Sequence, residues 1–366
     1  MQDKLAFVGD LILGDQPLLC GMGVYSKHKD TYREVFEGFA QWLIGQQCHL
    51  AVANFEAVLF PKIKRIGPDC SAMKTTPHVI ESLQDARIRA VSLANNHSME
   101  YGSNVYTYTR KSLEDNGIDT FGHADKPCLY TRCGRMTIGV FGFSTIPAMY
   151  GYKPDYYYVP ASDYRAHDEL AKRLGEARKE VDYLVAYPHW GTEFVSTPSP
   201  SQDSLAERLV ACGVDLIVGS HPHVIQSVEQ VGNTTVYFSV GNLVTDYPQD
   251  RIRRNLCVLI RCSNETIESE GHVFTSDSRF RIQYLSRFTI EQANRPPTSR
   301  EEHAFAALKA RQKVRREMVH HLLLHLPSLI RHWRIPMWML RRLTFLVRHR
   351  KRIKENPDAV YAGPSH

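Results

Sequence analysis

The first stretch of this chain able to do chemistry is Gly219-Ser220-His221-Pro222-His223, directly after the apolar run Leu216-Ile217-Val218. Two imidazoles one residue apart, at a strand end among small residues, form a metal-ligand arrangement. Pro222 fixes the backbone between His221 and His223, so both rings can be held toward one point at little entropic cost. Two satisfied loop histidines would read the same way, so the rest of the chain must decide.

The elements that position such a pair follow from periodicity and punctuation. Apolar runs predict strands at 4–9, 50–53, 88–93, 136–143, 181–187 and 214–218, with helices at 30–46, 164–179 and 202–212. Thr76-Pro77 starts a further helix as cap and first-turn proline, and Ser103 caps one that Gly117 ends. Gly232-Asn233 between alternating runs predicts a hairpin, and strands at 255–262 and 278–288 close the body. The Tyr- and Pro-rich loop at 147–160 reads as a lid or a substrate wall. Strands alternate with helices to residue 218 and predominate after it, which predicts a layered α/β domain with mixed sheets.

In such sheets the carboxyl ends of the strands meet on one side, where ligands bind. Asp10, Glu56, Asn96, His97, His189, His221 and His223 all fall just past predicted strand ends. Each has a plainer reading. Asp10 after Gly9 fits a turn, and Asn96 is a poor strand residue that favours a turn or a ligand. Glu56 lies in Ala51–Phe60, AVANFEAVLF, where an unpaired carboxylate is costly to bury and a cation would neutralise it. His97 could bind a metal or donate a proton. Trp190 beside His189 reads as a pocket wall, and Glu193 either orients a histidine or is an exposed acid. Asn242 fits a turn better than a ligand. The remaining histidines, including His28, His49, His78 and His123, lack this context and read as structural. Two carboxylates, one amide and three or four imidazoles exceed the three protein ligands of a catalytic zinc. They suit two divalent ions bridged by a carboxylate, which activate water and clamp both oxygens of a phosphoryl transfer.

In order, the segments VGD, NFE, ANNH, PHWGTEF, GSHPHVIQ and VYFSVGN resemble the CapA family of capsule and poly-γ-glutamate synthesis proteins, across residues 4–246. That family is similar to the calcineurin-like metallophosphoesterases. The resemblance implies an α/β/β/α sandwich and one or two divalent ions (Mn, Fe or Zn). It implies that Asp10 binds a first metal, that Glu56 bridges, and that Asn96, His189 and His221 bind a second. His223 would return to the first metal, and His97 would face the leaving group. The broader phosphoesterase pattern begins Asp-x-His, and Ile12 occupies the histidine position here. The first site therefore lacks a ligand, and a one-metal enzyme stays open.

Charge is unevenly spread. Residues 301–366 hold 14 Lys and Arg against 5 Asp and Glu, leaving 31 against 34 in residues 1–300. Two units are expected, a phosphoesterase-type body at 1–295 and a basic amphipathic helical extension at 296–366. Within 303–355, apolar residues alternate with basic ones, the pattern of a helix on an anionic membrane surface. A helix packed on the body would share that pattern, and the acidic body argues against nucleic acid. No basic start with an apolar helix and cleavage site opens the chain, and the eight cysteines include no CxxC pair. The expectation is buried thiols and a cytoplasmic protein, peripheral on the inner face of the membrane. The expected function is hydrolysis of a phosphorylated or polymeric small-molecule substrate, alongside polymer-synthesis proteins, in capsule, exopolysaccharide or poly-γ-glutamate synthesis. A non-catalytic component of a polymer synthase, or an enzyme acting on amide bonds, shares the ligand set.

Overall fold

The computed structural model describes residues 3–64, 73–263, 266–288 and 300–331 of the 366-residue chain. In order, its elements begin with β1 (Asp3–Leu11), α1 (Val24–His28), α2 (Arg33–Gly45), β2 (Leu50–Asn54), β3 (Val58–Leu59), β4 (Lys74–Thr75) and α3 (His78–Asp85). They continue with β5 (Ile88–Ser92), α4 (Ser103–Glu114), β6 (Asp119–Phe121), β7 (Cys128–Cys133), β8 (Met136–Ser144), α5 (Tyr164–Arg178) and β9 (Tyr183–His189). Then come α6 (Pro200–Ala211), β10 (Leu216–Val218), β11 (Val228–Val231), β12 (Thr234–Tyr237) and β13 (Asn242–Val244). The last are β14 (Arg254–Cys262), β15 (Ile267–Ser276), β16 (Ile282–Phe288) and α7 (Arg300–Arg331).

Two mixed sheets stack face to face. The larger runs β16-β15-β14-β1-β2-β5-β6 with β13 beside β1, and the smaller runs β11-β12-β10-β9-β8-β7. The period-2 pattern of β1 shows why two layers of core form. Leu5 and Phe7 enter the core between the sheets, against Val140, Val185, Leu216 and Tyr237. Ala6 and Val8 face the opposite way, under Phe36, Phe39 and Leu43 of α2 and Leu83 of α3. Leu170 and Leu174 of α5, with Leu205 and Leu209 of α6, cover the outer face of the smaller sheet. The result is the expected α/β/β/α sandwich. β1, β2, β5 and β6 are mutually parallel, as are β8, β9, β10 and β12. Their carboxyl ends therefore gather at one edge of each sheet.

Several strands escaped the periodic reading. β15 carries Glu, Ser, Gly and His, and it forms because its backbone pairs with β14 along its whole length. The strand expected from 278 starts at Ile282, because Asp277 accepts the amides of Arg279 and Arg281 and makes a turn. α6 begins earlier than expected, at Pro200, under a capping box of Ser199 and Gln202.

The cysteine reading needs correction. Cys133 at the end of β7 and Cys262 at the end of β14 form a disulfide across a sequence separation of 129. Their strands lie in different sheets, so no local spacing announces the pair. Cys48, Cys128 and Cys257 are buried thiols, as expected, and Cys70 lies outside the described residues.

The first turns of the tail take the packed-helix form. Val314 and Met318 of α7 are buried with Leu19, Phe194, Val224 and Ile252. Gln249 Nε2 donates to Val314 O at 3.3 Å. The apolar side of that stretch is thus used on the body, and the expected membrane-facing residues 332–355 lie outside the described residues. Among the described residues, no helix is long and apolar enough to cross a membrane.

Two outcomes follow from these contacts. Reduction of the disulfide removes a cross-link over a long loop, so the reduced protein should lose about 2–5 kcal/mol of stability, read by urea unfolding with and without reductant. A Cβ at Gly9 would lie 1.8 Å from Gly241 O, backbone that cannot swing away. Gly9→Ala should therefore force β1 and β13 apart and lower the urea midpoint by more than any surface alanine.

Candidate metal centre

Five strand ends deliver the expected side chains to one place. Asp10 lies at the end of β1, where a bulge shifts the register and sets it opposite Asn242 of β13. Glu56 follows β2, Asn96 and His97 follow β5, His189 ends β9, and His221 and His223 follow β10. A bridge between His189 and Ser220 joins the last two strand ends. The turn after β10 carries a conformational cost. His221 has φ 92° and His223 φ 57°, the left-handed region that ordinary residues avoid, at roughly 1–3 kcal/mol each. Pro222 between them holds its carbonyl against Phe194 N at 2.7 Å. Gly219 permits the approach, since a Cβ there would meet Phe238 O at 2.2 Å.

Glu56 is the centre of the arrangement. Its side chain is wholly buried, and neither carboxylate oxygen has a hydrogen-bond partner. Three imidazole Nε2 atoms face Glu56 Oε1, His189 at 3.8 Å and His97 and His223 each at 3.9 Å. These separations are too long for hydrogen bonds and leave space between donor atoms. Two sets of ligand atoms each fall within 4.8 Å of one another, Glu56 with His221 and His223, and Glu56 with Asp10 and His189. Glu56 is common to both. His221 and His223 share one of the two sets.

Each of the three rings that face Glu56 is aimed by a partner on its other nitrogen, whereas His221 Nδ1 is buried without one. His189 Nδ1 lies 3.1 Å from Ser220 Oγ and 3.2 Å from Asn54 Nδ2. His223 Nδ1 lies 2.9 Å from Asn242 Oδ1 and 3.2 Å from Asp10 Oδ2. His97 Nδ1 lies 2.6 Å from Glu100 Oε2. Such outer partners fix ring orientation at metal sites. Asn96 Oδ1 sits 2.8 Å from His189 Nε2, so it joins the same cluster. Asn54 Nδ2 also donates to Asp10 Oδ1 at 2.7 Å, and its own oxygen accepts from Asn95 at 3.0 Å.

Charge follows the geometry. Burial, then the charge of Asp10, pushes the Glu56 carboxyl up to about 8. Burial, then the neighbouring histidines, holds His189 and His221 well below the usual imidazole range. Burial disfavours a charge on His223, but Glu56 and Asp10 outweigh it and push the ring up to about 10. The same contest, with Glu100 as the main opponent of burial, raises His97. Without a cation, His189 and His221 are thus held neutral while His97 and His223 hold their protons against the carboxyls; a bound divalent cation would take the place of those protons.

Three expectations change. Trp190 is not a pocket wall: it is buried, stacked on Phe238 at 5.9 Å, with Nε1 donating to Phe238 O at 2.8 Å. Glu193 orients none of the three rings; its nearest described ion pair is with Arg311 of α7, at 3.9 Å. Asn242 is more than a turn residue, since it orients His223. Glu100 and Asn54 were not singled out from sequence; an acid three residues after His97 was the available signal for the first. The 147–160 loop bonds the residues on either side of His97, with Met149 N donating to Asn96 O at 3.1 Å and Tyr150 OH to Glu100 Oε1 at 3.4 Å. Ile12 is fully buried, and its amide bonds Val244 O at 3.0 Å.

The chain has relatives among known proteins. It is 27% identical over 263 residues to the PGA biosynthesis protein CapA of Bacillus subtilis strain 168, covering 69% of this chain and 66% of that protein. It is 28% identical over 190 residues to the capsule biosynthesis protein CapA of Bacillus anthracis, covering 49% of this chain and 45% of that one. The chain thus spans less than two thirds of either relative. Among solved structures it is similar to a novel phosphatase from Mycoplasma pneumoniae, with TM-score 0.45, 12% identity and coverage of 81% of this chain and 98% of that one. A hypothetical protein from Thermus thermophilus is also similar, with TM-score 0.47, 13% identity and coverage of 75% and 100%. The family model described as bacterial capsule synthesis protein PGA_cap matches residues 4–247, and the chain belongs to that family.

Proposed function

We propose that this protein is a metal-dependent hydrolase of phosphoester type that serves capsule or poly-γ-glutamate synthesis. The observation that carries this reading is Glu56, a buried carboxylate with both oxygens bare amid three converging Nε2 atoms. Asp10, Glu56, Asn96, His189, His221 and His223 would hold one or two divalent ions, of Mn, Fe or Zn. Such an ion supplies Lewis acidity and activates water near neutral pH. The chain's own residues do the rest. Glu100 holds His97 Nδ1, which keeps a proton available on the ring for the departing oxygen of the substrate. Asn54 and Ser220 hold His189 and Asn242 holds His223, so little reorganisation of those two rings accompanies reaction. Burial of the ligand set excludes bulk water.

The second reading, a non-catalytic or amide-bond-acting component of a polymer synthase, draws on Ile12, which supplies no ligand where the phosphoesterase pattern has histidine. Contact with an anionic membrane surface belongs to the proposal through the part of 303–355 beyond the described helix. A cytoplasmic placement does not, because the Cys133–Cys262 disulfide belongs to an oxidising compartment.

Gently purified protein should carry at least about one equivalent of Mn, Fe or Zn by elemental analysis, the minimum for one catalytic site. Glu56→Gln should abolish retention, and Asn242→Ala should weaken metal affinity about 10- to 100-fold. Hydrolysis should appear on phosphomonoester or phosphodiester substrates and not on γ-glutamyl peptides. Metal-free protein with no added-metal activity sinks the reading, and His189→Ala cells that still make polymer favour the non-catalytic one.

The metal-free protein should also show a signed pH dependence. Glu56 rises from 4.5 to about 8 on folding, so its contribution is lost as pH rises through that window. His223 rises from 6.5 to about 10, so its contribution is present below 6.5 and lost as pH climbs to about 10. His189 and His221 are lowered and act in the opposite sense, but only below 6.5. Above about pH 6.5 the melting temperature in chelator should therefore fall steadily. Added metal should flatten that slope; an identical slope with and without metal would show that the cluster does not hold the ion.

A further inference from the structure

The metal centre meets solvent at His97. That side chain is 16% exposed, whereas Asp10, Glu56, Asn96, His189, His221 and His223 are each 5% exposed or less. Beside this opening runs the segment 145–150, which leaves the end of β8. It is tied to the centre at three points. Thr145 N donates to His189 O at 3.0 Å, and Met149 N donates to Asn96 O at 3.1 Å. Tyr150 OH donates to Glu100 Oε1 at 3.4 Å. From behind, Tyr156 OH donates to Ile146 O at 2.9 Å.

Tyr150 reaches Glu100 from a strained turn. Its φ is 58° and its ψ 17°, and Gly151 follows at φ 73°. The left-handed region is costly for an aromatic residue, and such outliers collect at functional sites. Burial of the ring does not offset that cost, because Tyr150 is 67% exposed. What the turn does secure is the phenol on a buried carboxylate. Glu100 is 6% exposed, and its second oxygen, Oε2, lies 2.6 Å from His97 Nδ1. The far nitrogen of that ring, Nε2, faces Glu56 Oε1 at 3.9 Å. A donor on Oε1 fixes the rotation of the Glu100 carboxylate and so keeps Oε2 on the ring.

We propose that Tyr150 is a positioning residue that acts on His97 through Glu100. The inference rests on the hydrolase reading above, in which His97 protonates the departing oxygen. In that step the oxygen of water bonds to phosphorus, and the bond to the leaving oxygen breaks onto that oxygen. The leaving oxygen takes a proton from His97 Nε2, and a proton of the attacking water restores the ring. A phenolate needs that proton as it leaves, whereas a dinitrophenolate departs without it.

Full-length protein loaded with Mn²⁺ is assayed on phosphate esters of phenol and of 2,4-dinitrophenol, each as the monoester and as the methyl diester. Tyr150→Phe keeps the ring and loses the hydroxyl. It should lower kcat on the phenyl ester about 10-fold with KM unchanged, and leave the dinitrophenyl ester at the wild-type rate. Bound Mn²⁺ and the melting temperature should stay as in the wild type. Glu100→Ala should show the same split between esters, and adding Tyr150→Phe to it should cost nothing further. Tyr164→Phe, 74% exposed at the start of α5, should match the wild type on every ester. Wild-type kinetics in Tyr150→Phe, equal losses on both leaving groups, or an additive loss in the double variant overturns the inference and leaves the hydrolase reading standing. Mn²⁺-loaded wild type that turns over none of the esters overturns both.

Discussion

A carboxylate buried without a partner is among the costlier groups a protein can hold, and Glu56 is such a group. Its neighbours relieve it only in part, through the charges of His223 and His97 and through a carboxyl pushed up to about 8. The nearest donors are imidazole Nε2 atoms at 3.8–3.9 Å, beyond hydrogen-bond reach, and each of those rings has its other nitrogen engaged. Without an ion the cluster is balanced by protons on His223, His97 and the Glu56 carboxyl, and a cation placed among these atoms would replace them. Much of the surrounding sequence serves to hold these atoms in place. Asn54 spans Asp10 and His189, Asn242 spans His223 and the backbone of Ile252, and Glu100 fixes His97.

Holding that geometry requires a stiff frame. The two sheets provide it by ending five strands together, but the last approach is made by backbone in unfavourable conformations. His221 and His223 both adopt positive φ, and Phe194 does the same at 66° while donating to Pro222. A few kilocalories per mole of strain at these positions must be offset by packing around them. The inter-sheet core, tied at one end by the Cys133–Cys262 disulfide, supplies it. Gly9 and Gly219 then admit backbone where any side chain would collide. The centre and the sandwich are accordingly one structure, and the strain at the centre is a reason to expect close coupling between metal binding and stability.

What could be read from sequence followed the distance over which its causes act. Strand ends are local features, so Asp10, Glu56, Asn96, His97, His189, His221 and His223 stood out from their immediate neighbours. A layered α/β domain with mixed sheets followed from the alternation of elements, and the α/β/β/α sandwich from the family resemblance. Partners fixed by tertiary approach did not stand out. Asn54 looks like an ordinary strand-end residue until β1 and β9 deliver Asp10 and His189 to it. Trp190 misled because adjacency to a ligand says nothing about direction: at the end of β9 successive side chains face opposite ways, so His189 enters the site and Trp190 enters the outer core. The disulfide joins residues in different sheets, and the tail pattern fits a membrane surface and a protein surface equally well. In both cases only the partner distinguishes the readings.

The replacement of a ligand by Ile12 also acquires a physical sense. Its side chain is wholly buried and apolar, so it offers the centre no donor, while its amide, as any residue's there would, holds β13 against β1 where Asn242 meets His223. The two carboxylates of the centre are therefore not equivalent. Asp10 is already engaged on both oxygens, by Asn54 Nδ2 on one and by His221 N and His223 Nδ1 on the other. Glu56 is engaged on neither. A cation approaching Asp10 competes with standing hydrogen bonds, whereas one approaching Glu56 relieves a desolvated charge. On the proposed reading, the ion shared through Glu56 with the imidazoles is the one this chain is built to retain, and any ion resting on Asp10 is the one more easily lost.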